Sequence, residues 1–396
     1  MKYFKGISIT VILLGFVSFL NDASSEMIRP ILPMFITALG GAGIAVGLIG
    51  GLSDSISSIL NVISGYISDK KGKRKIFVSS GYIISAIFKL LLSFSKFWYH
   101  ILLFTGFERV GKGLRTPARD AMIADAMPKE RGKGFGIHRA LDTSGAILGA
   151  FFVFILFWFF NFSFTSIIFI SAILAFLSLT PIYFVKEEKR ETKPKIFYSL
   201  SAIKKLPIPL KLFILIAGIF SLANFSYMFF ILKAQGAFAG KLSIGIPLIL
   251  YILFNIFYAI FAIPFGTLSD KLGRRKVLVF GYFLFSLTAL SFALFNSFTA
   301  FLILFAFYGI VYAIVDGNQR AYISDLSNEE LRATALGTFH TAIGLTALPS
   351  SLIAGFLWQN ISPNTTFIYG SIISIISVFL FILLGSYFKA QRDVNI

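Results

Sequence analysis

The chain has 396 residues, of which 57% are hydrophobic and 14% are charged, with a mean hydropathy of +0.83. A soluble domain of this length cannot bury that much apolar surface, so lipid must be the solvent for most of the chain. The absence of cysteine excludes disulfides and thiolate metal sites, while the net charge of +18 needs an explanation of its own.

Apolar runs recur from Ile7 to Gly385, and each is long enough for the roughly 20 residues that cross a bilayer. The first run is too long for a signal peptide and has no small-residue cleavage site after it, so we expect it to be the first spanning helix. The runs predict an all-α membrane protein with twelve helices, near 7–38, 43–68, 76–95, 98–126, 133–159, 163–186, 210–236, 244–270, 276–296, 298–325, 331–358 and 364–388.

Basic residues lie in alternate connections, at 70–75, 186–195 and 271–276, and the connections between them carry no charge. This positive-inside pattern predicts that the chain lies in the cell inner (cytoplasmic) membrane with both termini in the cytoplasm. Loop charge therefore explains the basicity, and we expect the lipid bilayer as a partner but no nucleic acid.

Residues 187–209 are charged, contain several prolines and have no run of spanning length, so we expect a cytoplasmic linker there. The linker divides the chain into two predicted bundles of six helices, 1–186 and 210–396. Two such halves are typical of transporters whose binding site lies between repeats.

A repeat supports this division. GYISDKKGKRKIF at 65–77 recurs as GTLSDKLGRRKVL at 266–278, a shift that also brings Arg119 onto Arg320. Both copies resemble a loop of the major facilitator superfamily, found between its helices two and three and again between helices eight and nine. The resemblance covers nearly the whole chain and implies two pseudo-symmetric six-helix bundles that work as a permease.

Two further stretches add to this resemblance. Arg109-Val-Gly-Lys112-Gly113 resembles the helix-four motif of that superfamily, and Lys112 stands where its drug–proton antiporters usually have Gln. GKGLRTPARDAMIAD, together with FLNDASSEMIRPILP in the first helix, looks like a poorly characterised branch of bacterial and archaeal permeases. Members are usually called efflux-type, so the resemblance implies a transporter and not an enzyme, and we expect a monomer without a cofactor.

The repeated loops are predicted to act in gating more than in substrate binding. A carboxylate at the end of a helix can pair with a cation in one conformation and release it in the other. The alternative is that the loop charges only set topology, which leaves the repeated aspartate unexplained. The predicted gating residues are Asp69, Arg74, Arg119, Arg131, Asp270 and Arg274.

The first predicted helix carries Asp22 near its middle and Glu26 one turn later. Carboxyl groups at membrane depth favour the neutral form, so either residue is a candidate for proton coupling. Alternatively, they neutralise Arg29 or Arg109, and then Asp142 on the fifth helix or Asp316 on the tenth is the next candidate.

Other features of these helices have simpler interpretations. Pro30 and Pro33 predict a bend in the first helix. Lys89 is expected to extend from the third helix toward the outer interface, as long cationic side chains do near membrane surfaces. His138 is expected to be a hydrogen-bonded structural residue rather than a proton relay.

Polar side chains on apolar helices define the predicted cavity. Glu108, Lys112 and Arg119 share one face of the fourth helix, and this charged face needs a polar interior. In the second half, Asn and Tyr side chains suit hydrogen bonding to a ligand in a mostly apolar cavity. The predicted cavity residues are Arg109, Lys112, Asn224, Tyr227, Asp316 and Gln319.

These features predict a secondary transporter driven by H⁺, and the resemblance implies efflux of a small organic molecule. Proton-coupled uptake of a small organic or inorganic anion is the alternative, because cations are in excess on the fourth helix. Divalent metal efflux is less favoured, since the three histidines lie on separate helices and no metal site is predicted. A membrane receptor that transports nothing is also less favoured, and the absence of a GxxxxGK[ST] loop disfavours an ATP-driven pump.

Overall fold

The structure is a computed structural model that describes residues 7–187, 203–328 and 331–394, with only the backbone of residues 333 and 386–394. Fifteen helical segments lie in these ranges, and no strand does. They are α1 (Ile9–Ile28), α2 (Leu32–Ala38), α3 (Gly43–Lys71), α4 (Arg74–Leu92), α5 (Trp98–Ala126), α6 (Arg131–Trp158), α7 (Phe164–Leu177), α8 (Leu179–Phe184), α9 (Ile208–Ala223), α10 (Met228–Gln235), α11 (Leu242–Leu272), α12 (Arg274–Leu294), α13 (Phe298–Leu326), α14 (Arg332–Asn360) and α15 (Pro363–Val394).

Within the described ranges, 11 helices or joined helix pairs are long and apolar enough to cross a membrane. α5 has sufficient length at 29 residues, but its charged face sets it apart from the other spans. With α5 included, the helices match the twelve predicted spans, and the prediction of an all-α membrane fold is confirmed.

The first, sixth and seventh spans are interrupted. The interruption of the sixth is limited to Ser178, between α7 and α8, and those of the first and seventh are longer. The first breaks between α1 and α2 at Pro30, as the prolines predicted. The seventh breaks between α9 and α10, where residues 224–227 leave the helix without a proline. Non-helical backbone at membrane depth is tolerated where it is buried in protein or lines a cavity, so the two longer breaks indicate where polar sites can form.

The repeated loops turn at glycines. Gly72 ends the turn after α3 with φ of 63°, and Gly273 ends the turn after α11 with φ of 91°. Residues with a side chain rarely adopt these angles, so the two glycines allow an abrupt change of direction between long helices.

The described helices form two compact units. The first contains α1, α2, α3 from Ile56 onward, and α4 to α8; the second contains the start of α3, up to Ser55, and α9 to α15. The predicted halves, 1–186 and 210–396, stay a prediction, and residues 188–202 of the expected linker lie outside the described residues.

Close packing in the first unit brings polar faces together. α1 packs along α6, and α4 packs along α5. At the α4–α5 crossing, a Cβ added to Gly81 would lie 2.6 Å from the Gly111 carbonyl oxygen, so only glycine permits this approach. The charged face of α5 consequently lies directly against polar residues of α4.

Candidate functional site

Two carboxyl groups meet in the first unit, Asp22 on α1 and Asp142 on α6, and their side chains are within hydrogen-bonding distance. Asp142 also accepts a hydrogen bond from Arg139 at 3.2 Å. Lys112 and Arg119 of α5 lie close enough to act on Asp22 electrostatically. A hydrogen bond between two carboxyl groups needs a proton on one of them, so this pair can hold a proton among cations.

Arg119 connects the pair to a hydrogen-bonded chain. It donates to Ser18 at 3.1 Å and also forms an ion pair with Asp120 at 2.9 Å. The Ser18 hydroxyl lies 2.8 Å from Nε2 of His138 and 3.2 Å from the hydroxyl of Tyr82. His138 is buried and hydrogen-bonded.

Arg115 is held by α4 rather than by a carboxylate. Its guanidinium lies 4.5 Å from the centre of the Tyr82 ring, and it donates a hydrogen bond to Ser85. A cation over an aromatic face is attracted by the ring quadrupole, and desolvation strengthens the attraction.

Lys89 does not extend to the outer interface as expected. Its side chain is only 2% exposed, and its ammonium group donates to Ser24 and Ser25 at 2.9 Å each and to Asn21. The prediction of a snorkelling lysine is wrong, because α4 presents Lys89 to the polar face of α1 instead of to the lipid. Glu108 and Asp22 lie near enough to act on this cation electrostatically.

The remaining carboxylates on these helices pair locally. Glu26, which is 7% exposed, pairs with Arg29 at 2.8 Å, which is one of the two partners that the sequence left open. Arg109 pairs instead with its neighbour Glu108, at 3.2 Å between Nε and Oε2.

The second unit contains a cavity of about 180 Å³ between α9, α13 and α14. Phe220, Phe339 and several aliphatic residues supply its apolar walls. Its polar lining consists of Ser221, Asn224, Tyr312, Asp316, Gln319, Arg320 and His340. Three of the predicted cavity residues, Asn224, Asp316 and Gln319, are therefore together.

Some polar groups of this cavity have hydrogen-bond partners within the protein, and one has none among the described residues. Asp316 accepts from Tyr258 at 2.9 Å and pairs with Arg320 at 2.7 Å, while Gln319 donates to Tyr282 at 2.7 Å. Oδ1 of Asn224 is buried and accepts no hydrogen bond from the described residues. This oxygen is an open acceptor at the helix break between α9 and α10.

The other predicted cavity residues lie elsewhere. Tyr227 directly precedes α10 and packs against Tyr251, with ring centroids 6.1 Å apart, and it does not line the second-unit cavity. Arg109 and Lys112 belong to the first unit. Among the described residues, no three histidine, aspartate or glutamate side chains form a group that could hold a metal ion.

Ion pairs occur at both repeated loops. In the first, Arg74 pairs with Asp69 at 2.8 Å and with Asp125 at the end of α5. Glu187, which follows α8, accepts hydrogen bonds from the backbone N–H groups of Arg74 and Lys75. These hydrogen bonds join the loop to the end of α8. The predicted gating residue Arg131 is exposed at the start of α6.

In the second loop, Arg274 pairs with Asp270 at 2.9 Å and with Asp325 at 2.5 Å. The repeat aligns Arg74 with Arg275, yet Arg275 turns away and donates to the backbone oxygen of Ile382 at 2.9 Å. The ion pairs of the two loops are thus similar, but the arginine that forms them differs by one position.

Comparison with known proteins agrees with the fold. The family model described as Major Facilitator Superfamily matches residues 14–254 and 214–394. An uncharacterized MFS-type transporter of Methanocaldococcus jannaschii is 55% identical over 383 residues, which are 96% of each chain. A Na(+), Li(+), K(+)/H(+) antiporter of Planococcus maritimus is 24% identical over 431 residues, covering 98% of each chain.

Solved structures with little sequence similarity share the architecture. The nucleoside transporter NupG is 14% identical with a TM-score of 0.79, covering 95% of this chain and 98% of its own. A bacterial homolog of the human lysosomal transporter Spinster is 15% identical with a TM-score of 0.73, covering 96% of each chain. The chain belongs to the major facilitator superfamily and is a membrane transporter, not an enzyme.

Proposed function

We propose that the protein is a proton-coupled secondary transporter that exports a small organic molecule by alternating access. It works as a monomer in the cytoplasmic membrane, with both termini in the cytoplasm, as the basic loops favour. The contact between the carboxyl groups of Asp22 and Asp142 carries this proposal.

Proton coupling follows from the chemistry of this contact. Two carboxyl groups at hydrogen-bonding distance cannot both be ionised at low cost, so one proton stays with the pair. When that proton leaves, the second negative charge attracts Lys112 and Arg119 on α5. Loss or gain of one proton thereby changes the forces between α1, α5 and α6, which is what coupling to a conformational change requires.

The second-unit cavity supports a small organic substrate. Its volume of about 180 Å³ is below the roughly 300 Å³ at which drug-sized sites begin. Aromatic walls suit an apolar body, and the open Oδ1 acceptor of Asn224 suits a substrate with a hydrogen-bond donor.

The antiporter relative from Planococcus maritimus supports coupling to protons, but its named inorganic cations fit this chain less well. Away from the helix ends that meet the repeated loops, and with the exposed Arg139 left aside, there are six cations on or next to α1, α4 and α5 and five carboxyl groups on α1, α5 and α6. They are Arg29, Lys89, Arg109, Lys112, Arg115 and Arg119, against Asp22, Glu26, Glu108, Asp120 and Asp142. The same excess favours the second candidate, proton-coupled uptake of a small anion.

Infrared spectroscopy of the full chain in lipid tests the proton pair without a known substrate. The carbonyl stretch of a protonated carboxyl group separates from the other bands, and a pH titration follows its loss. We expect one titrating carboxyl in the wild-type protein, absent from both Asp22→Asn and Asp142→Asn.

Glu26→Gln is the matched control. Glu26 lies one turn from Asp22 on α1 and is paired with Arg29, so this variant should keep the titrating signal. A signal that persists in Asp22→Asn and Asp142→Asn but disappears in Glu26→Gln would overturn the assignment.

A further inference from the structure

A small cavity in the first unit lies beside the break that follows α1 and is bounded by α1, α4 and α5. Its volume is about 30 Å³, whereas a single water needs roughly 10–15 Å³. The space is therefore large enough for a small ion or for two water molecules, and it is too small for an organic substrate. The polar lining residues are Ser25, Arg29, Lys89, Thr105, Glu108 and Arg109.

Two buried polar atoms at this cavity have no hydrogen-bond partner among the described residues. The hydroxyl of Thr105, a residue that is only 5% exposed, is buried and has no hydrogen-bond partner among the described residues. The same holds for Nε of Arg109, which lies 3.2 Å from Glu108 Oε2 but makes no hydrogen bond. Buried polar atoms are rarely left unpaired, so these two indicate a missing partner.

The chemistry of the two atoms restricts that partner. A guanidinium nitrogen can only donate a hydrogen bond, and a threonine hydroxyl can donate one. A species that accepts from both satisfies the site, and both an anion and a water molecule can do so.

Charge decides between these two. Arg29, Lys89 and Arg109 line the cavity with a single carboxylate, Glu108. The carboxylate of Glu26 engages Arg29, and Lys89 has only neutral hydrogen-bond acceptors. Three cations and two carboxylates, Glu26 and Glu108, therefore lie at this cavity, and the excess of one positive charge at membrane depth is costly. Water fills the two open positions but leaves this charge uncompensated.

We propose that this cavity binds a small monovalent inorganic anion of chloride size. The hydroxyl of Thr105 and Nε of Arg109 donate to the anion, and the ammonium of Lys89 supplies the charge that it neutralises. Glu108 repels an anion, but Arg109, Lys89, Arg115 and Lys112 all act on Glu108 and offset its charge. The anion is a resident of the first unit, separate from the second-unit cavity and from the pair of Asp22 and Asp142.

Thermal unfolding of the full chain in detergent tests the proposal. Sodium chloride replaces sodium gluconate at constant ionic strength, so that screening stays the same. We expect the wild-type midpoint to rise with chloride and to saturate, as it does for a ligand that binds only the folded state. Thr105→Val, which removes the donor but keeps the shape, should weaken the apparent chloride affinity about tenfold or more, because a hydrogen bond to a charged group is lost.

Thr116→Val is the matched control on the same helix, since the hydroxyl of Thr116 already donates to the Lys112 carbonyl oxygen at 2.9 Å. This variant should keep the wild-type response. Arg109→Lys keeps the charge but loses the Nε donor, and it should weaken the response as Thr105→Val does. Crystals grown in sodium bromide supply a second measurement through anomalous scattering at the cavity.

Two results would overturn the proposal. One is a wild-type midpoint that is the same in chloride and in gluconate. The other is a cavity without anomalous signal in bromide, with only water bound to Thr105 and Arg109.

Discussion

The ammonium group of Lys89 on α4 donates to the hydroxyl of Ser24 on α1 at 2.9 Å, inside a segment of membrane-spanning length. Ser25 accepts from the same group at 2.9 Å, and Asn21 accepts at 3.4 Å through its side chain. A buried cation is thereby held by neutral oxygen atoms, and its stability depends on their number.

Removal of one of these acceptors should destabilise the protein through the cation. Ser25→Ala is expected to cost about 1–3 kcal/mol, because a buried charged donor loses a partner. In a Lys89→Met background the same substitution should cost much less, since no ammonium group is then left unsatisfied. Thermal unfolding midpoints of the four proteins in this cycle measure the coupling.

Ser93→Ala controls for loss of a hydroxyl, because Ser93, which directly follows α4, donates to the Leu90 carbonyl oxygen of that helix at 2.7 Å. Equal effects of Ser25→Ala in both backgrounds would contradict the network.

The two repeated loops should differ in strength. Asp125 is 22% exposed and its partner Arg74 is 15% exposed, whereas Asp325 is 54% exposed. Exposed ion pairs contribute about 0.2–1 kcal/mol, and breaking a more buried pair costs more. We expect Asp125→Asn to lower the unfolding midpoint clearly and Asp325→Asn to change it little, and a reversed order would contradict the burial of the first loop.

The partner of Asp325 should be Arg274 and not the arginine that the repeat aligns with Arg74. A double-mutant cycle of Arg274→Gln with Asp325→Asn should give a coupling energy of about 0.5 kcal/mol. The same cycle with Arg275→Gln should give none, because Arg275 donates to Ile382 instead. A coupling energy between Asp325 and Arg275, with none for Arg274, would contradict this prediction. It would mean that the equivalent arginine forms the ion pair in both loops.

Proton exchange should reveal the direction of coupling. Proteoliposomes that contain a pH-sensitive dye receive ethidium, benzoate or sodium chloride, each at constant membrane potential. If the protein is an antiporter, ethidium that enters should drive protons out, so the lumen becomes more alkaline. If it is an anion symporter, benzoate that enters should bring protons with it, so the lumen becomes more acidic. Asp22→Asn and Asp142→Asn should abolish either response, while Glu26→Gln should retain it, and a response in all three variants would contradict proton coupling through the carboxyl pair.

Topology can be checked with reporter fusions. Fusions after residues 72, 195 and 273 should report the cytoplasm, because these connections are basic. Fusions after residues 41, 161 and 297 should report the outside. A single inverted pair would contradict the twelve-span arrangement.

The helices were predictable because spanning length and apolar composition are local properties of the sequence. The bend at Pro30 was predictable for the same reason, whereas the break at residues 224–227 was not, since no proline marks it. The polar face of α5 was also predictable from its spacing.

Contacts between helices were harder to predict. Periodicity gives the face on which Asp22 and Asp142 lie, but not which faces meet, because the two residues are 120 positions apart in the sequence. A single lysine in an apolar helix also fits either the interface or the interior. The oxygen atoms of α1 that accept hydrogen bonds from Lys89 in the interior are 64 to 68 positions away in the sequence, and periodicity does not reveal them. Arg274 rather than Arg275 pairs with Asp325 because of the direction in which each side chain leaves the turn. An alignment of the two repeats does not reveal that direction.

The breaks in the first and seventh spans have a mechanical consequence. Each divides a membrane-spanning rod into two stiff pieces joined by a few residues, and each joint borders one of the cavities, through Arg29 in the first unit and Asn224 in the second. A rod with a joint bends there before it bends elsewhere, because the intact helical hydrogen bonds resist deformation. A ligand bound in either cavity therefore stiffens the helix break beside it. When the ligand leaves, that span becomes flexible at the break again.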